Sequence, residues 1–258
     1  MVSGRCPEGA GAPAFPTKTI RHTDTPQVAG GLQPLPAFEH QGLFWWSAHM
    51  LGWVSEPGSD LAGKLRRAES LAQMRKPAIG VHIRRGDACV HAAQSNTRPL
   101  CRGVPEYMAG VFRMASRYGA QHVALSTDDA SVVEEVEAAL QEEARRGGAE
   151  LSLSAMRFGR GVFDSAWFIE HRVEAAAADA SVIAESMLLD LLLLAECDML
   201  VGTLSSQMSR LALSLMAIRR GSMPPFDSVD GLPWGCCTWA GESLNTSDPA
   251  AFNRISLA

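Results

Sequence analysis

The segment AIGVHIRRGDAC, residues 78–89, ends an apolar run in a histidine-flanked pair of arginines, a glycine and an aspartate. Two guanidiniums at one strand end can clamp an anion through paired hydrogen bonds. Arg84 and Arg85 are therefore candidate phosphate ligands. The competing reading is a structural ion pair with Asp87 or another carboxylate. The RGD triplet here abuts a buried run and lacks the exposed, flexible tip that an adhesion motif needs. A second candidate is VGTLSSQMSR, residues 201–210, where a strand signal passes into a helix signal. Backbone N–H groups at that helix start, with the hydroxyls of Ser205 and Ser206, suit a phosphate; plain capping is the alternative. Asp190 interrupts the run MLLDLLLLA. At about 100° per residue, Glu185 and Glu196 share a helical face that excludes Asp190. A carboxylate on an apolar face is costly unless paired. It can accept hydrogen bonds from ligand N–H groups, as a guanine edge supplies, or lie on a second exposed stripe. Asp128 and Asp129 close LSTDD. They resemble a metal-binding pair working with phosphate oxygens, but capping of the next helix is the stronger reading.

Alternating elements must position these groups. GLFWWSAHMLGWV, residues 42–54, reads as a helix with large apolar area from its tryptophans. EPGSD breaks it, and Ser59 or Asp60 can cap the following helix. PAIGVHI is the mark of a buried parallel strand. VPEYMAGVFRMASRYG is a helix with proline near its start and glycine past its end. QHVALSTDD is the next strand, ASVVEEVEAALQEEARRGG a helix, and AELSLS a weaker third strand. Residues 156–178 carry no clear element signal and include a long loop; ADASVIAESMLLDLLLLAEC reads as a helix, DMLVGT as a strand and SSQMSRLALSLMAIRRG as a helix. Strand and helix in alternation imply right-handed βαβ units and an open parallel sheet. Ligands then bind beyond the carboxyl ends of the strands, at Ile83–Asp87, Thr127–Asp129 and Thr203–Gln207. The expected layout is an irregular N-terminal segment 1–41, an α/β domain 42–221 and a turn-rich tail 222–258.

The 258 residues are 47% hydrophobic and 20% charged, a globular composition, and carry a formal net charge of −5. That charge argues against a general nucleic-acid binder. The most apolar stretch is interrupted by Asp190, Glu196 and Asp198, and the N-terminus lacks a long apolar core, so neither a membrane span nor a signal peptide is expected. No pair of cysteines has zinc-ligand spacing. Cys89 and Cys101 flank a polar loop, where they either bridge in an oxidising compartment or stand as reduced thiols. Cys197 reads as a packed core thiol.

In one order, FWWSAHMLGWV, GVHIRRGD, EYM, LSTDD and LLDLLLLAECDMLVGTLSSQMSR resemble the α1,6-fucosyltransferase family. That family includes the core N-glycan and bacterial nodulation fucosyltransferases. The resemblance runs from about Gly42 to Arg219. It implies a Rossmann-like, nucleotide-sugar-binding domain of the kind forming the C-terminal half of a GT-B enzyme. It also implies GDP-fucose as donor, with no cofactor and no metal, and transfer with inversion. His82 and Asp190 match residues that hold guanine, Arg84 the arginine on the β-phosphate, and Arg85 its partner. Ser206 and Gln207 match the diphosphate segment, and Ser205 beside them is a further donor-binding candidate from the helix start. Tyr107, Asp128 and Asp129 match positions in the family's functional motifs. A glycan or glycoprotein acceptor and a Golgi-lumen setting follow from the same resemblance; no membrane anchor is visible in this chain.

Two departures bear on catalysis. The family's aspartate is followed by lysine where this chain has Ala88. The family's loop supplies a glutamate thought to act as base, whereas ACVHAAQSNTRPLCRG has no Glu or Asp. Asp87 and His91 are the remaining candidates for the base. Family members also carry a longer N-terminal catalytic region, which implies a fragment or a minimal form. The competing functions are a non-catalytic GDP-sugar-binding or lectin-like module on the same scaffold, and a protein O-fucosyltransferase, separable by its acceptor.

Overall fold

Short strands with no polar face need cover on both sides, and helices supply it. The computed structural model describes residues 42–68, 71, 73–86, 89, 101–156, 169–175 and 179–231. All belong to the unit Pro34–Ala258. Helices α1 (Gly42–Val54) and α2 (Ser59–Arg67) precede strand β1 (Ala78–Ile83). Then follow α3 (Val104–Tyr118), β2 (His122–Thr127), α4 (Ser131–Arg145) and β3 (Ser152–Ala155). The chain continues through α5 (Ile169–Glu174), α6 (Ala180–Ala195), β4 (Met199–Gly202), α7 (Gln207–Arg220) and β5 (Phe226–Ser228).

The strands form one sheet in the order β3-β2-β1-β4-β5, and every pairing is parallel. The order reverses between β1 and β4, which opens the crevice where doubly wound sheets bind ligands. Side chains alternate across the strands. Ile79, Val81 and Ile83 point into the core shared with α3 and α4. Ala78 and Ala124 point the other way, into the core under α6 and α7. That second face is built from small residues, so the leucine-rich α6 can press against the sheet. A Cβ on Gly80 would lie 3.1 Å from Leu194 Cδ2 and 3.4 Å from Cys197 Sγ. Cys197 is buried, as its apolar neighbours imply.

Local signals act as expected in α3. Pro105 stands in its first turn, and it ends at Gly119, whose φ of 67° is the left-handed conformation that glycine tolerates. Elsewhere tertiary context prevails. Helix α2 starts after Gly58, with no side-chain cap from Ser59 or Asp60. The third strand lies at Ser152–Ala155, later than AELSLS implies. Helix α5 lies within 156–178, the stretch without a clear element signal. The largest correction concerns the tail: Phe226–Ser228 is a strand paired with β4, so the sheet crosses the boundary drawn at residue 221. Strand signals are weak there because the segment is only three residues long and half-buried. The segment 1–41 and residues 232–258 lie outside the described residues. Among the described residues, no helix is long and apolar enough to cross a membrane.

The contact between β1 and α6 gives a direct test. Leu194 is fully buried, so Leu194→Ala should cost about 2–5 kcal/mol of stability, read as a lower urea midpoint at unchanged slope. Gly80→Ala alone should also destabilise, by about 1–3 kcal/mol of overpacking. Because the new methyl would enter the space Leu194 vacates, the double variant should be more stable than additivity requires.

Candidate functional site

The strand register sets three residues side by side at the carboxyl end of the sheet: Gly202 of β4, His82 of β1 and Ser126 of β2. All three fall on the face covered by α6 and α7. His82 Nδ1 lies 2.8 Å from the hydroxyl of Ser209, a residue of α7 with no exposed surface. Gly202 makes that approach possible, since a Cβ there would lie 2.8 Å from Ser209 Oγ. Next to this pair, Ser126 Oγ donates to Asp190 Oδ2 at 3.0 Å. Asp190 is only 4% exposed. The structure therefore rejects a second exposed stripe and puts this carboxylate inside a buried polar layer. Burial pushes the His82 imidazole down to about 3, and the charge of Arg84 acts in the same direction. His82 is accordingly neutral near pH 7, with one donor and one acceptor nitrogen.

The loop leaving β1 is tied to the end of β2. Asp128 Oδ1 accepts from the backbone N–H groups of Arg85 at 2.8 Å and Gly86 at 3.1 Å. A Cβ on Gly86 would lie 2.9 Å from Asp128 Oδ2, so a side chain there would force the two apart. The Arg85 guanidinium turns toward α4. Its Nε donates to Asp129 Oδ2 at 2.8 Å, its Nη2 to Ser131 Oγ at 2.8 Å, and its Nη1 lies 2.6 Å from Glu135 Oε1. Burial works against that charge, but the bonds to Glu135 and Asp129 raise its pKa. Asp129 also accepts from the Ser131 amide and hydroxyl. Burial opposes its ionisation too, yet Ser131 and Arg85 hold its carboxyl below the ordinary value. Of the two arrangements left open by the sequence, Arg85 thus takes the ion pair, with Asp129 and Glu135 as partners. Arg84 is half-buried at the strand exit and close enough to act electrostatically on His82. Cys89 and Cys101 are bridged, with Cα atoms 5.2 Å apart, which resolves the two readings of that pair. Asp87 and His91 lie outside the described residues.

The exit of β4 faces these groups across the switch point. Ser206 occupies the cap position of α7, yet its side chain makes no capping bond. Its hydroxyl is buried and has no hydrogen-bond partner among the described residues. The first N–H groups of α7 are therefore not consumed by this hydroxyl. Gln207 is exposed at the first position of α7, and Ser205 is half-buried. Tyr107 is a core residue, 1% exposed, beneath the strand ends. Burial pushes its phenol up to about 12, while a hydrogen bond with Thr203 pulls the other way. Tyr107 therefore supports the exit of β4 from below.

Three polar residues that sequence reasoning did not single out belong here: Ser126, Ser209 and Asp230. Period-two counting along β2 identifies Ser126 as the neighbour of His82 once the register is known. Ser209 follows Ser206 by three positions, which places both on one side of a helix. Asp230 precedes Gly231 in a stretch that reads as a turn, and its carboxylate accepts from the Leu204 and Ser205 amides.

The family described as alpha-(1,6)-fucosyltransferase N- and catalytic domains matches residues 31–161. An alpha-(1,6)-fucosyltransferase of Drosophila melanogaster is 27% identical over 180 residues, which cover 67% of this chain and 25% of that protein. The chain thus spans about a quarter of the length of that curated relative. Among solved structures, POFUT1 in complex with GDP-fucose is 15% identical, with a TM-score of 0.45, over 66% of this chain and 46% of the other. NodZ alpha-1,6-fucosyltransferase soaked with GDP-fucose is 19% identical, with a TM-score of 0.35, over 61% and 42%.

The buried imidazole makes stability depend on pH with a definite sign. An unfolded histidine titrates near about 6.5, whereas folded His82 stays neutral down to about 3. Between those values the unfolded chain binds a proton that the folded chain does not, so stability must fall as the pH falls. Urea titrations of parent and His82→Gln from pH 7.5 to 4 should show a shallower decline in the variant, although it starts lower. Parallel declines would remove His82 from the account.

Proposed function

The chain belongs to the alpha-(1,6)-fucosyltransferase N- and catalytic domain family, and on that premise we propose that the described sheet binds GDP-fucose for transfer to a glycan acceptor. One observation carries the reading. A buried, paired carboxylate, Asp190, and a neutral imidazole, His82, share one end of the sheet with Arg84 and with the Ser206 hydroxyl, which has no partner among the described residues. The first two suit the N–H edge of a purine and the last two an anion. Guanine offers adjacent N–H donors that a carboxylate can accept, and His82 presents a second polar atom beside it. The diphosphate then meets Arg84, Ser206, Gln207 and the N–H groups at the start of α7.

The residues supply distinct services. Arg84 and the start of α7 stabilise negative charge on the departing diphosphate, an electrostatic contribution that requires no divalent ion. In the reaction, the bond from fucose C1 to the β-phosphate oxygen breaks and GDP carries away the electron pair. The acceptor oxygen bonds to C1 from the opposite face, and its proton passes to a base. That geometry inverts the anomeric centre. Asp87 and His91 are the candidates for the base. Arg85, Asp128 and Asp129 fix the loop from which Arg84 projects, and Tyr107 fixes the end of β4. The Cys89–Cys101 bridge supports an oxidising, secretory-pathway setting, in keeping with a Golgi enzyme.

A second reading has its own supporting feature. The loop from Ala88 to Gly103 holds no carboxylate, and Asp128 and Asp129 are engaged by the β1 loop and Arg85. A non-catalytic GDP-sugar-binding module would need nothing more. The two readings part at turnover.

Calorimetric titration with GDP, GDP-fucose and UDP decides the donor. GDP should bind and UDP should not, and Asp190→Ala should abolish the preference; a preference for UDP would sink the base assignment. Fucose transfer to glycan acceptors then separates enzyme from module. In the enzyme, Arg84→Ala should lower kcat by about 10²-fold or more, and an unchanged rate would remove Arg84 from the reaction.

A further inference from the structure

Asp230 lies just beyond β5, yet its bonds are made to the turn after β4. Oδ1 accepts from the Leu204 amide at 3.1 Å and from Ser228 Oγ at 2.8 Å, and Oδ2 accepts from the Ser205 amide at 3.0 Å. The Ser205 hydroxyl adds a further bond. Burial works against this charge, but the bonds from Ser205, Ser228 and Leu204 hold the carboxyl below its ordinary value. The backbone around Asp230 is equally constrained. Val229 N–H donates to Gly202 O at 2.9 Å, and Gly231 N–H to Ser228 O at 2.9 Å. Gly231 has a φ of 68°, a conformation natural to glycine.

The location of these bonds is informative. A carboxylate serving as an ordinary helix cap would take the N–H groups of the first turn of α7. Asp230 takes the two amides upstream, at Leu204 and Ser205, and so leaves the first turn to another acceptor. The next residue, Ser206, has the buried hydroxyl without a hydrogen-bond partner among the described residues. Ser206 N–H is itself turned back to Thr203 O at 3.1 Å. Thr203 is in turn held by the Tyr107 hydroxyl. The turn is thus gripped from both sides immediately before the point where it would meet an anion.

We propose that Asp230 is a positioning residue for donor binding: it fixes the Thr203–Ser206 turn so that Ser206 and the first N–H groups of α7 face the diphosphate. This rests on the reading of the donor as a guanosine diphosphate sugar. A carboxylate near a diphosphate repels it, so its presence is warranted by the amides it orders, which also absorb much of its charge. Asparagine keeps the shape, but only one of its two terminal atoms can accept an N–H, so one amide is released.

The test titrates parent, Asp230→Asn and Ser228→Ala with GDP and with guanosine, and follows amide hydrogen exchange at Leu204 and Ser205. In Asp230→Asn, GDP affinity should fall by about tenfold, the loss expected for a displaced charge-assisted contact, with guanosine affinity unchanged. Exchange at one or both amides should accelerate. Ser228→Ala removes a bond to Asp230 without touching the amides, and should give a smaller shift in the same direction; it decides the matter if Asp230→Asn does not fold. Equal losses for GDP and guanosine would mean a general structural role and overturn the proposal. Unchanged or tighter GDP binding by a variant of a GDP-binding parent overturns it alone. A parent that binds no GDP overturns the donor reading, and this inference with it.

Discussion

The Asp128 carboxylate, accepting two successive backbone N–H groups from the loop after β1, is the interaction on which the site depends. A chain leaving a buried parallel strand carries amides that the sheet no longer satisfies, and each must find an acceptor or pay for its desolvation. One oxygen of Asp128 meets both, and Gly86 admits the carboxylate at close range. The direction in which the chain leaves β1 is thereby settled. Arg85 then pairs with Asp129 and Glu135, and the arginine before it remains at the strand exit, next to His82.

The two faces of the sheet divide the work. Under α3 and α4 the sheet is covered by branched aliphatic side chains and holds the strands in register. Under α6 and α7 it is lined by small residues, and this permits a polar layer to be buried at its end. His82, Ser126, Asp190 and Ser209 are all less than 7% exposed, and each has a partner among the others. A polar layer that is hydrogen-bonded internally can be buried without large cost, and it holds its ligand-facing atoms in fixed positions. Preorganisation of this kind is what the nucleotide site proposed above requires of its framework.

Much of this was legible in the sequence, for identifiable reasons. Strand β1 and helix α3 carry strong local signals: an apolar run, an N-terminal proline and a C-terminal glycine. Asp190 stood out because periodicity excluded it from the polar stripe, and its burial agrees with that exclusion. What escaped reading depends on register and on long-range pairing. Nothing local distinguishes Arg84 from Arg85; the difference arises from Asp129, Ser131 and Glu135, which are more than forty residues away in sequence. Strand β5 is three residues long and draws its stability from β4. Asp230 reads as an ordinary turn residue until the Leu204 and Ser205 amides are placed against it. The same limit hid Ser126 and Ser209, whose roles are set by neighbours on other elements.

The bridge between Cys89 and Cys101 has an architectural consequence. It holds the Cα atoms of Cys89 and Cys101 5.2 Å apart and so joins the two ends of the segment between them. Its ends are fixed relative to β1 on one side and α3 on the other, whatever lies between them. Residues can be added to or exchanged within such a closed loop without changing the spacing of the elements that flank it. The bridge therefore lets the sequence between the two cysteines diverge at little cost to the frame that flanks it.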